Sequence, residues 1–248
     1  MVEPALIWPD GRRAAVSLTF DDARGSQIDV GMPIFDRWGT KASFYVSIHN
    51  MQKRVDDWKR ILADGHEIAN HTASHPCSGN FRFSRHNALE DYTIERMERE
   101  LTDANNMIER LVNVRPTTFA YPCGQTWVGR GEQAKSYVPL VARHFRVGRG
   151  YPDEAPSHPA VCDLARINGI RLDDMTPERA LEWIDQAIAE GSWLAFVGHG
   201  VGPRGRESHT VSADTLEAVC RLGRERERDV WIATVDRVGA YIQSARKS

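Results

Sequence analysis

Two short segments of the chain carry side chains that could hold a metal ion and activate water. Residues 19–22 (TFDD) end in two adjacent aspartates, and residues 71–76 (HTASHP) contain two histidines four positions apart. A carboxylate and two neutral imidazoles make a three-ligand set that leaves positions open on zinc or a similar divalent ion, as a catalytic site requires. Water bound to such an ion loses a proton near neutral pH, and a nearby carboxylate can accept it. The two segments therefore predict a mononuclear hydrolytic metal site.

The residues before each segment predict a β-strand. Residues 14–20 are largely apolar and include β-branched and aromatic side chains, which is typical of a buried strand in a parallel sheet. Residues 65–70 are shorter and also favour a strand, because strand-like segments lie on either side. Neighbouring residues of an extended strand point in opposite directions, so Asp21 and Asp22 can serve different tasks where the first strand ends.

Strand-like and helix-like segments alternate along the whole chain, which indicates a βα architecture. The clearest helix is predicted at residues 90–111, where apolar residues three and four positions apart form one buried face. Further helices are predicted at 32–38, at 55–63, from the N-cap Thr176 to about residue 189, and after the N-cap Ser212. Further strands are predicted at 41–47, 117–121, 145–147, 164–172, 192–197 and 230–234.

Seven or eight βα units in 248 residues favour a closed or nearly closed parallel barrel over an open sheet. A chain of this length can bury one good core, so we expect residues 1–248 to form a single domain. In such barrels the loops at the carboxyl ends of the strands build the active site. Six side chains from four predicted strand ends are therefore expected to converge: Asp21, Asp22, His71, His75, Tyr121 and His199.

Composition excludes several classes of partner. The net charge is −2 and the charges are mixed in sign, so neither nucleic acid nor an anionic membrane surface is predicted to bind. No stretch of about 18 apolar residues predicts a membrane span. The first residues lack a basic leader followed by an apolar segment, so we expect a cytoplasmic enzyme, although a secreted protein whose signal has been removed would look the same. No oligomeric state is predicted.

The four cysteines predict no cross-link. They are widely spaced and form no Cys-x-x-Cys pair, which argues against a disulfide framework and against a structural zinc cluster. We therefore expect reduced thiols at Cys77, Cys123, Cys162 and Cys220.

The chain resembles the polysaccharide deacetylases of carbohydrate esterase family 4, the NodB-like family. Residues 19–22, residues 71–76, residues 119–124 (FAYPCG) and the late strand that runs into His199 follow the order and spacing of the family's motifs, over roughly residues 12–245. The resemblance implies a distorted (β/α) barrel of about seven parallel strands. It also implies metal-dependent removal of acetyl groups from an N- or O-acetylated carbohydrate.

The resemblance also implies a role for each site residue. The implied metal ligands are Asp22, His71 and His75, and the implied general base is Asp21. His199 is the candidate general acid, and its flanking glycines would let a substrate approach closely. The backbone N–H of Tyr121 is a candidate donor to the oxyanion of the tetrahedral intermediate, with a plain turn before Pro122 as the alternative. Zinc is the favoured ion, and cobalt, nickel or manganese would also fit.

The sequence departs from the family pattern at two places. Ala120 stands where many members carry an arginine that orients the base, and the fourth motif, an aspartate-tryptophan segment that tunes the acid histidine, has no clear counterpart. Arg149 is a candidate substitute and substrate-site residue, with a surface ion pair as the alternative. Trp127 could stack on a sugar face or pack in the core.

These departures leave two other functions open. The first keeps the fold and metal but hydrolyses small cyclic amides, as allantoinase-like or imidase-like relatives in the superfamily do. The second is a non-catalytic carbohydrate-binding protein that has kept the barrel. That second function predicts losses among the ligands and the base, whereas Asp21, Asp22, His71, His75 and His199 are all present.

Overall fold

The structure is a computed structural model that describes residues 8–203 and 208–247. Twelve strands occur in these residues: β1 (Ala14–Asp21), β2 (Ser43–Val46), β3 (Glu67–Asn70), β4 (Thr118–Ala120), β5 (Trp127–Val128), β6 (Lys135–Ser136), β7 (Val147–Arg149), β8 (Ile170–Arg171), β9 (Trp193–Gly198), β10 (Gly200–Val201), β11 (Thr210–Val211) and β12 (Val230–Ile232). The α-helices of the same residues are α1 (Met32–Trp38), α2 (Ile48–Met51), α3 (Val55–Ala63), α4 (Ile94–Val112), α5 (Val138–His144), α6 (Pro177–Glu190), α7 (Ala213–Glu225) and α8 (Val235–Ala245). Among these helices, none combines the length and the apolar character needed to cross a membrane.

The main sheet is parallel and curves into a distorted, nearly closed barrel. Seven strands follow one another in the order β7-β4-β3-β2-β1-β9-β8, and β12 pairs with the first half of β1 while β2 pairs with its second half. The two edges approach each other through a parallel bridge between Arg149, the last residue of β7, and Ile167. The predicted fold class, a distorted (β/α) barrel of about seven parallel strands, is confirmed.

The central strand β1 sorts its side chains by alternation. All eight of its residues are buried, and one face packs into the main apolar cluster through Ala14, Val16, Leu18 and Phe20. Ser17 and Thr19 lie on the other face, where their hydroxyls donate to the carbonyl oxygens of Ala233 (2.8 Å) and Phe196 (2.6 Å). Because the side-chain period of a strand is two, Asp21 lies on this polar face at the carboxyl end of β1.

Several predicted elements have the predicted bounds, and others are displaced. Helices α1 and α3 cover residues 32–38 and 55–63 as predicted. Helix α4 begins at Ile94 because the side chain of Thr93 accepts the backbone N–H of Arg96 and caps it there. The segment 164–172 is strand only at β8, since Asp163 caps a 3-10 turn at Leu164–Arg166. The predicted caps Thr176 and Ser212 both accept a backbone N–H of their helices.

The expectation of four reduced thiols is wrong for one pair. Cys77 and Cys123 form a disulfide across 46 residues of sequence, with their Cα atoms 6.2 Å apart, while Cys162 and Cys220 are free. No local spacing could reveal this bond, because it depends on β3 and β4 being neighbours in the sheet, so that the loops after them meet.

Reduction of the Cys77–Cys123 disulfide is expected to lower the free energy of unfolding by about 4 kcal/mol. The bond restricts the unfolded chain by closing a loop of 46 residues, and reduction releases that restriction. Urea denaturation followed by circular dichroism, with and without a phosphine reductant, measures the difference. A Cys77→Ser/Cys123→Ser variant should reproduce the reduced protein and show no response to reductant. Identical curves for the oxidised and reduced wild type would contradict the prediction.

Candidate active site

Asp22, His71 and His75 meet at the carboxyl ends of β1 and β3. The Nε2 atoms of His71 and His75 lie 3.9 Å and 3.8 Å from Oδ1 of Asp22, and the three ligand atoms all lie within 4.8 Å of one another. Two bonds of about 2.0–2.2 Å to one zinc ion span the distances of 3.8 Å and 3.9 Å when the bond angle is wide. The predicted convergence of these three side chains is therefore present in the fold.

The backbone turns sharply at each of these strand ends. Asp22 has φ 74° and His75 has φ 53°, in the left-handed region that non-glycine residues rarely adopt. The turn at Asp22 is held by its N–H, which donates to the carbonyl oxygen of Tyr45 on β2 (2.9 Å), and by Asn50, whose Nδ2 donates to the carbonyl oxygen of Asp22 (3.0 Å). Such conformations persist where the surrounding structure determines them, and they cluster at functional sites.

The ring of His71 is oriented by the neighbouring strand. Its Nδ1 lies 2.9 Å from the carbonyl oxygen of Ala120 on β4, and a carbonyl can only accept, so Nδ1 carries the proton. The lone pair of Nε2 is then directed at the ligand group, which consists of Asp22, His71 and His75. Burial lowers the pKa of His71 to about 4, which keeps the imidazole neutral as a metal ligand requires.

The loop that carries His75 is held by helix α4. The carboxylate of Glu100 accepts the backbone N–H groups of Ala73 (3.1 Å) and Ser74 (2.9 Å) and the hydroxyl of Ser74 (2.7 Å). The backbone N–H of His75 donates to the hydroxyl of Thr72 (3.0 Å). Sequence reasoning missed Glu100, because a glutamate in a regular amphipathic helix is ordinarily a solvent-exposed residue with no special role.

Asp21 is buried and paired with Arg149. One carboxylate oxygen, Oδ1, accepts a hydrogen bond from Nη2 of Arg149, and the other, Oδ2, lies 3.9 Å from Nε2 of His71. Burial alone would raise the pKa of Asp21, but the charge of Arg149, with smaller contributions from His71 and His199, holds that pKa below its usual value. Asp21 is therefore a carboxylate with one oxygen bound by Arg149 and the other beside the ligand group.

Arg149 takes the place of the arginine that is missing at position 120. In the sheet, Arg149 on β7 is the direct register partner of Ala120 on β4, so the guanidinium comes from the next strand at the same level of the barrel. Its side chain is fully buried, which makes the predicted alternative of a surface ion pair wrong. Its contact with Asp21 also gives it a partner within the protein, in place of the predicted contact with substrate.

His199 is paired with a buried aspartate that sequence reasoning missed. Its Nδ1 lies 2.6 Å from Oδ2 of Asp173, and its backbone N–H donates to Oδ1 of the same carboxylate (2.9 Å). Burial alone would lower the pKa of His199, but the hydrogen bond to Asp173 and the surrounding carboxylates raise it above its usual value. One signal was present in the sequence, since Asp173 opens an Asp-Asp pair after a predicted strand, as Asp21 does.

The acid and base candidates lie on neighbouring strands. Phe20 of β1 is the register partner of Gly198 of β9, so Asp21 and His199 are the next residues along two paired strands. The amide Nε2 of Gln27 donates to the carbonyl oxygens of both Asp21 (2.6 Å) and His199 (2.8 Å). The buried amide of Gln27 thus links the backbones of the two candidate residues and fixes their relative placement.

Comparison with known proteins identifies the family. Residues 9–137, just over half of the 248 residues, match the sequence profile of the polysaccharide deacetylases. The chain belongs to the polysaccharide deacetylase family. The matched residues include the segments of Asp22, His71 and Cys123, whereas His199 lies beyond them.

Individual relatives of this deacetylase-family chain match only in part. It is 30% identical over 149 residues to a gellan lyase of Bacillus sp., which is 60% of this chain and 5% of that protein. It is 40% identical over 67 residues to the peptidoglycan-N-acetylglucosamine deacetylase of Bacillus cereus, which is 26% of this chain and 24% of that protein. The matches span 26% or less of the length of these curated relatives.

A solved structure supports the fold over nearly the whole chain. The crystal structure of a putative polysaccharide deacetylase from Mycobacterium smegmatis has a TM-score of 0.66 and 18% sequence identity, and the match covers 96% of this chain and 92% of that one. At this identity the likeness shows that the deacetylase fold is shared.

Two predicted substrate residues of the deacetylase-family chain have partners within the protein. The backbone N–H of Tyr121 donates to the carbonyl oxygen of Arg149 (3.1 Å), so it is already engaged, and the prediction that it faces an oxyanion is not supported. The buried hydroxyl of Tyr121 donates to the carbonyl oxygen of Ala165 (2.6 Å). Trp127 is half-buried on β5 and packs against the apolar cluster that contains Leu89.

Proposed function

We propose that this chain is a divalent-metal-dependent hydrolase that removes acetyl groups from an N- or O-acetylated carbohydrate. The observation that carries the proposal is the group of Asp22, His71 and His75 with the buried carboxylate of Asp21 beside it. Membership of the polysaccharide deacetylase family supports the same reaction class. The identity of the base, the acid and the ion is proposed from the residues of this chain.

The donor set fits a single divalent ion. Two imidazole nitrogens and one carboxylate oxygen, at the distances described above, match the ligand types of catalytic zinc, and cobalt, nickel and manganese accept the same donors. Asp22, His71 and His75 would hold the ion. When bound, the ion would polarise the acetyl carbonyl and make a coordinated water more acidic.

Asp21 acts as the general base in this proposal. Its Oδ2 is on the side of the ligand group, where it can accept the proton of the water that attacks the acetyl carbon. Arg149 is a positioning residue, because it holds Oδ1 and keeps Asp21 ionised in a buried site. The adjacent residues Asp21 and Asp22 thereby divide two tasks between them, as the alternation of a strand allows.

His199 acts as the general acid. Cleavage of an amide or ester leaves an amine or an alkoxide that must be protonated, and a protonated imidazole next to the reacting group can supply that proton. Asp173 orients the ring through Nδ1, which leaves Nε2 to face the substrate, and it stabilises the protonated form. Asp173 thus supplies the aspartate partner for the acid histidine that the sequence lacked in the expected motif.

Replacement of Asp173 by asparagine is expected to move the alkaline limb of the pH profile of kcat/KM to lower pH. The acid form of His199 is the protonated one, and it is lost as pH rises through its pKa. The Asp173 carboxylate raises that pKa, so its removal lets the proton leave at lower pH. Asp174→Asn is the matched control, because Asp174 pairs with Arg171 at an exposed position. An unshifted limb in Asp173→Asn would contradict the role of His199.

The disulfide bears on where the protein works. Bonds such as Cys77–Cys123 persist mainly in oxidising compartments and are rare in the reducing cytosol. We therefore propose an oxidising compartment as the working environment, in place of the cytoplasmic location expected from the sequence.

A substrate panel tests the proposed function. The protein is stripped with a chelator, reloaded with zinc, cobalt, nickel or manganese singly, and assayed for acetate release from acetylated xylan, chitin oligomers and acetylated peptidoglycan fragments. Allantoin and a cyclic imide are assayed in parallel by ring opening. Metal-dependent acetate release is the expected result. Ring opening without acetate release would establish the amide hydrolase instead, and inactivity with every metal and substrate would favour the non-catalytic carbohydrate-binding protein.

A further inference from the structure

Two phenylalanines beside the candidate metal ligands are exposed to solvent. Among the described residues, the large apolar side chains with high exposure are Phe81 (42%), Phe83 (57%), Val114 (40%) and Val161 (63%). The two valines lie apart in sequence, whereas the rings of Phe81 and Phe83 are in contact, with centroids 5.5 Å apart. Single exposed apolar side chains are ordinary, whereas these two rings contact each other at the edge of the candidate site.

The two rings continue directly from the ligand group. The centroid of Phe83 lies 6.1 Å from the ring of His75, and the ring of His75 lies 4.8 Å from that of His71. A molecule whose acetyl group reaches His71 and His75 therefore extends over Phe83 if it leaves the site on this side.

The segment that carries the phenylalanines is held in place at both of its ends. It begins at the Cys77–Cys123 disulfide, and the carboxylate of Glu90 accepts both the hydroxyl of Ser78 (2.6 Å) and the backbone N–H of Gly79 (2.9 Å). The hydroxyl of Ser84 donates to the carbonyl oxygen of Cys77 (2.8 Å) and closes the segment from its other end. A segment held at both ends loses less conformational freedom when a ligand binds to it than a free loop would.

We propose that Phe81 and Phe83 form an aromatic platform on which a pyranose ring of the substrate stacks. The inference rests on the proposed function, which it deepens by naming the residues that hold a sugar adjoining the acetylated one. A pyranose presents a flat face of C–H groups, and uncharged aromatic rings match such a face in shape and polarity. Two rings are far smaller than the roughly 800 Å² that each partner buries in a stable protein interface, so a sugar is the occupant that the platform fits.

The platform distinguishes an oligosaccharide from a small substrate. A small cyclic amide or a ring-free acetyl ester that occupies the ligand group does not extend over Phe83, whereas a sugar adjoining the acetylated one does. The ratio of kcat/KM for tetra-N-acetylchitotetraose to that for ethyl acetate therefore reports on the platform. Binding of the product tests the platform without turnover. The Kd is measured by calorimetric titration of the fully deacetylated tetramer into the zinc-loaded protein.

The test compares variants at Phe81 and Phe83 with a remote control. In Phe81→Ala/Phe83→Ala the kinetic ratio is expected to fall about tenfold and the Kd for the tetramer to rise about tenfold, because two stacking contacts are lost. Phe83→Trp should restore both values, whereas Phe83→Leu, which is apolar but not flat, should not. Val114→Ala is the control, because Val114 is similarly exposed and lies in the loop between α4 and β4.

Three outcomes would overturn the platform. The first is an unchanged kinetic ratio and an unchanged Kd in the double alanine variant, and the second is full restoration of both values by Phe83→Leu. The third is an equal loss of kcat/KM on the tetramer and on ethyl acetate, because that would mean that Phe83 only supports His75. A wild type that releases no acetate from any carbohydrate would overturn the proposed function alone. In that case the titration still decides the platform, because it measures binding.

Discussion

Replacement of Asp21 by asparagine is expected to lower kcat by about 10²–10⁴-fold with little change in KM. Asparagine has nearly the same shape but cannot accept the proton of the attacking water, and general base catalysis contributes about this factor. Asp22 and the histidines remain in place, so the variant should still bind one equivalent of zinc. Steady-state kinetics on an acetylated oligomer and a zinc titration measure the two effects.

The buried partner of Asp21 requires a control for stability. Asp21→Asn leaves the guanidinium of Arg149 buried without its counter-charge, which is expected to lower the free energy of unfolding by about 3–5 kcal/mol. An Asp21→Asn/Arg149→Met variant removes both charges and is expected to recover most of that stability without recovering activity. Recovery of both would mean that Asp21 serves only the ion pair, and retention of full kcat in Asp21→Asn would remove it as the base.

Replacement of His71 by alanine is expected to weaken zinc binding by more than about 100-fold and to abolish activity at ordinary metal concentrations. Removal of a residue that only supports a ligand already costs about 10–100-fold in metal affinity, and His71 is proposed as a ligand itself. The remaining donors, Asp22 and His75, are too few for a catalytic site. Competition with a chromophoric chelator measures the affinity, and His144→Ala is the control because His144 pairs with Glu98 at the surface.

A second donor group makes the redox state part of this experiment. His75 also lies with Cys77 and Cys123 in a cluster whose ligand atoms are within 4.8 Å of one another, but the two sulfurs are joined in the disulfide. Under oxidising conditions, therefore, His71→Ala should lose its zinc. Zinc retained with wild-type affinity by the oxidised variant would contradict the proposed ligand set, whereas zinc regained only after reduction would identify the two thiolates as its ligands.

At two places in the site, a residue near the end of a neighbouring strand supplies a charged partner that the sequence motifs lack. Ala120 has no charge to pair with Asp21, the proposed base, whereas its register partner Arg149 pairs with Asp21 from the neighbouring strand. Likewise, Asp173 at the end of β8 supports His199 at the end of β9. The strand ends meet at one rim of the barrel, so a charge can be supplied from any strand that reaches the same level.

The sequence alone determined the features that depend on a few neighbouring residues. The apolar run of β1, the caps Thr176 and Ser212, and the types of side chain at the strand ends were all predictable, because alternation, capping and turn formation act over short spans. The family motifs identified the proposed ligands for the same reason, since Asp22 adjoins its strand and His71 and His75 lie within one loop.

Only the tertiary structure decided the contacts between segments that are distant in sequence. Arg149 and Asp21 are 128 residues apart, and Cys77 and Cys123 are 46 apart, so no local pattern distinguishes these partners from other arginines, aspartates or cysteines. The register of the parallel strands sets which side chains share a level of the barrel, and register depends on the packing of the whole sheet. The types of ligand are therefore a local property of the sequence, whereas the partners of the proposed base and the proposed acid are set by strand pairing. The partner of the His75 loop, Glu100, is set by the packing of helix α4.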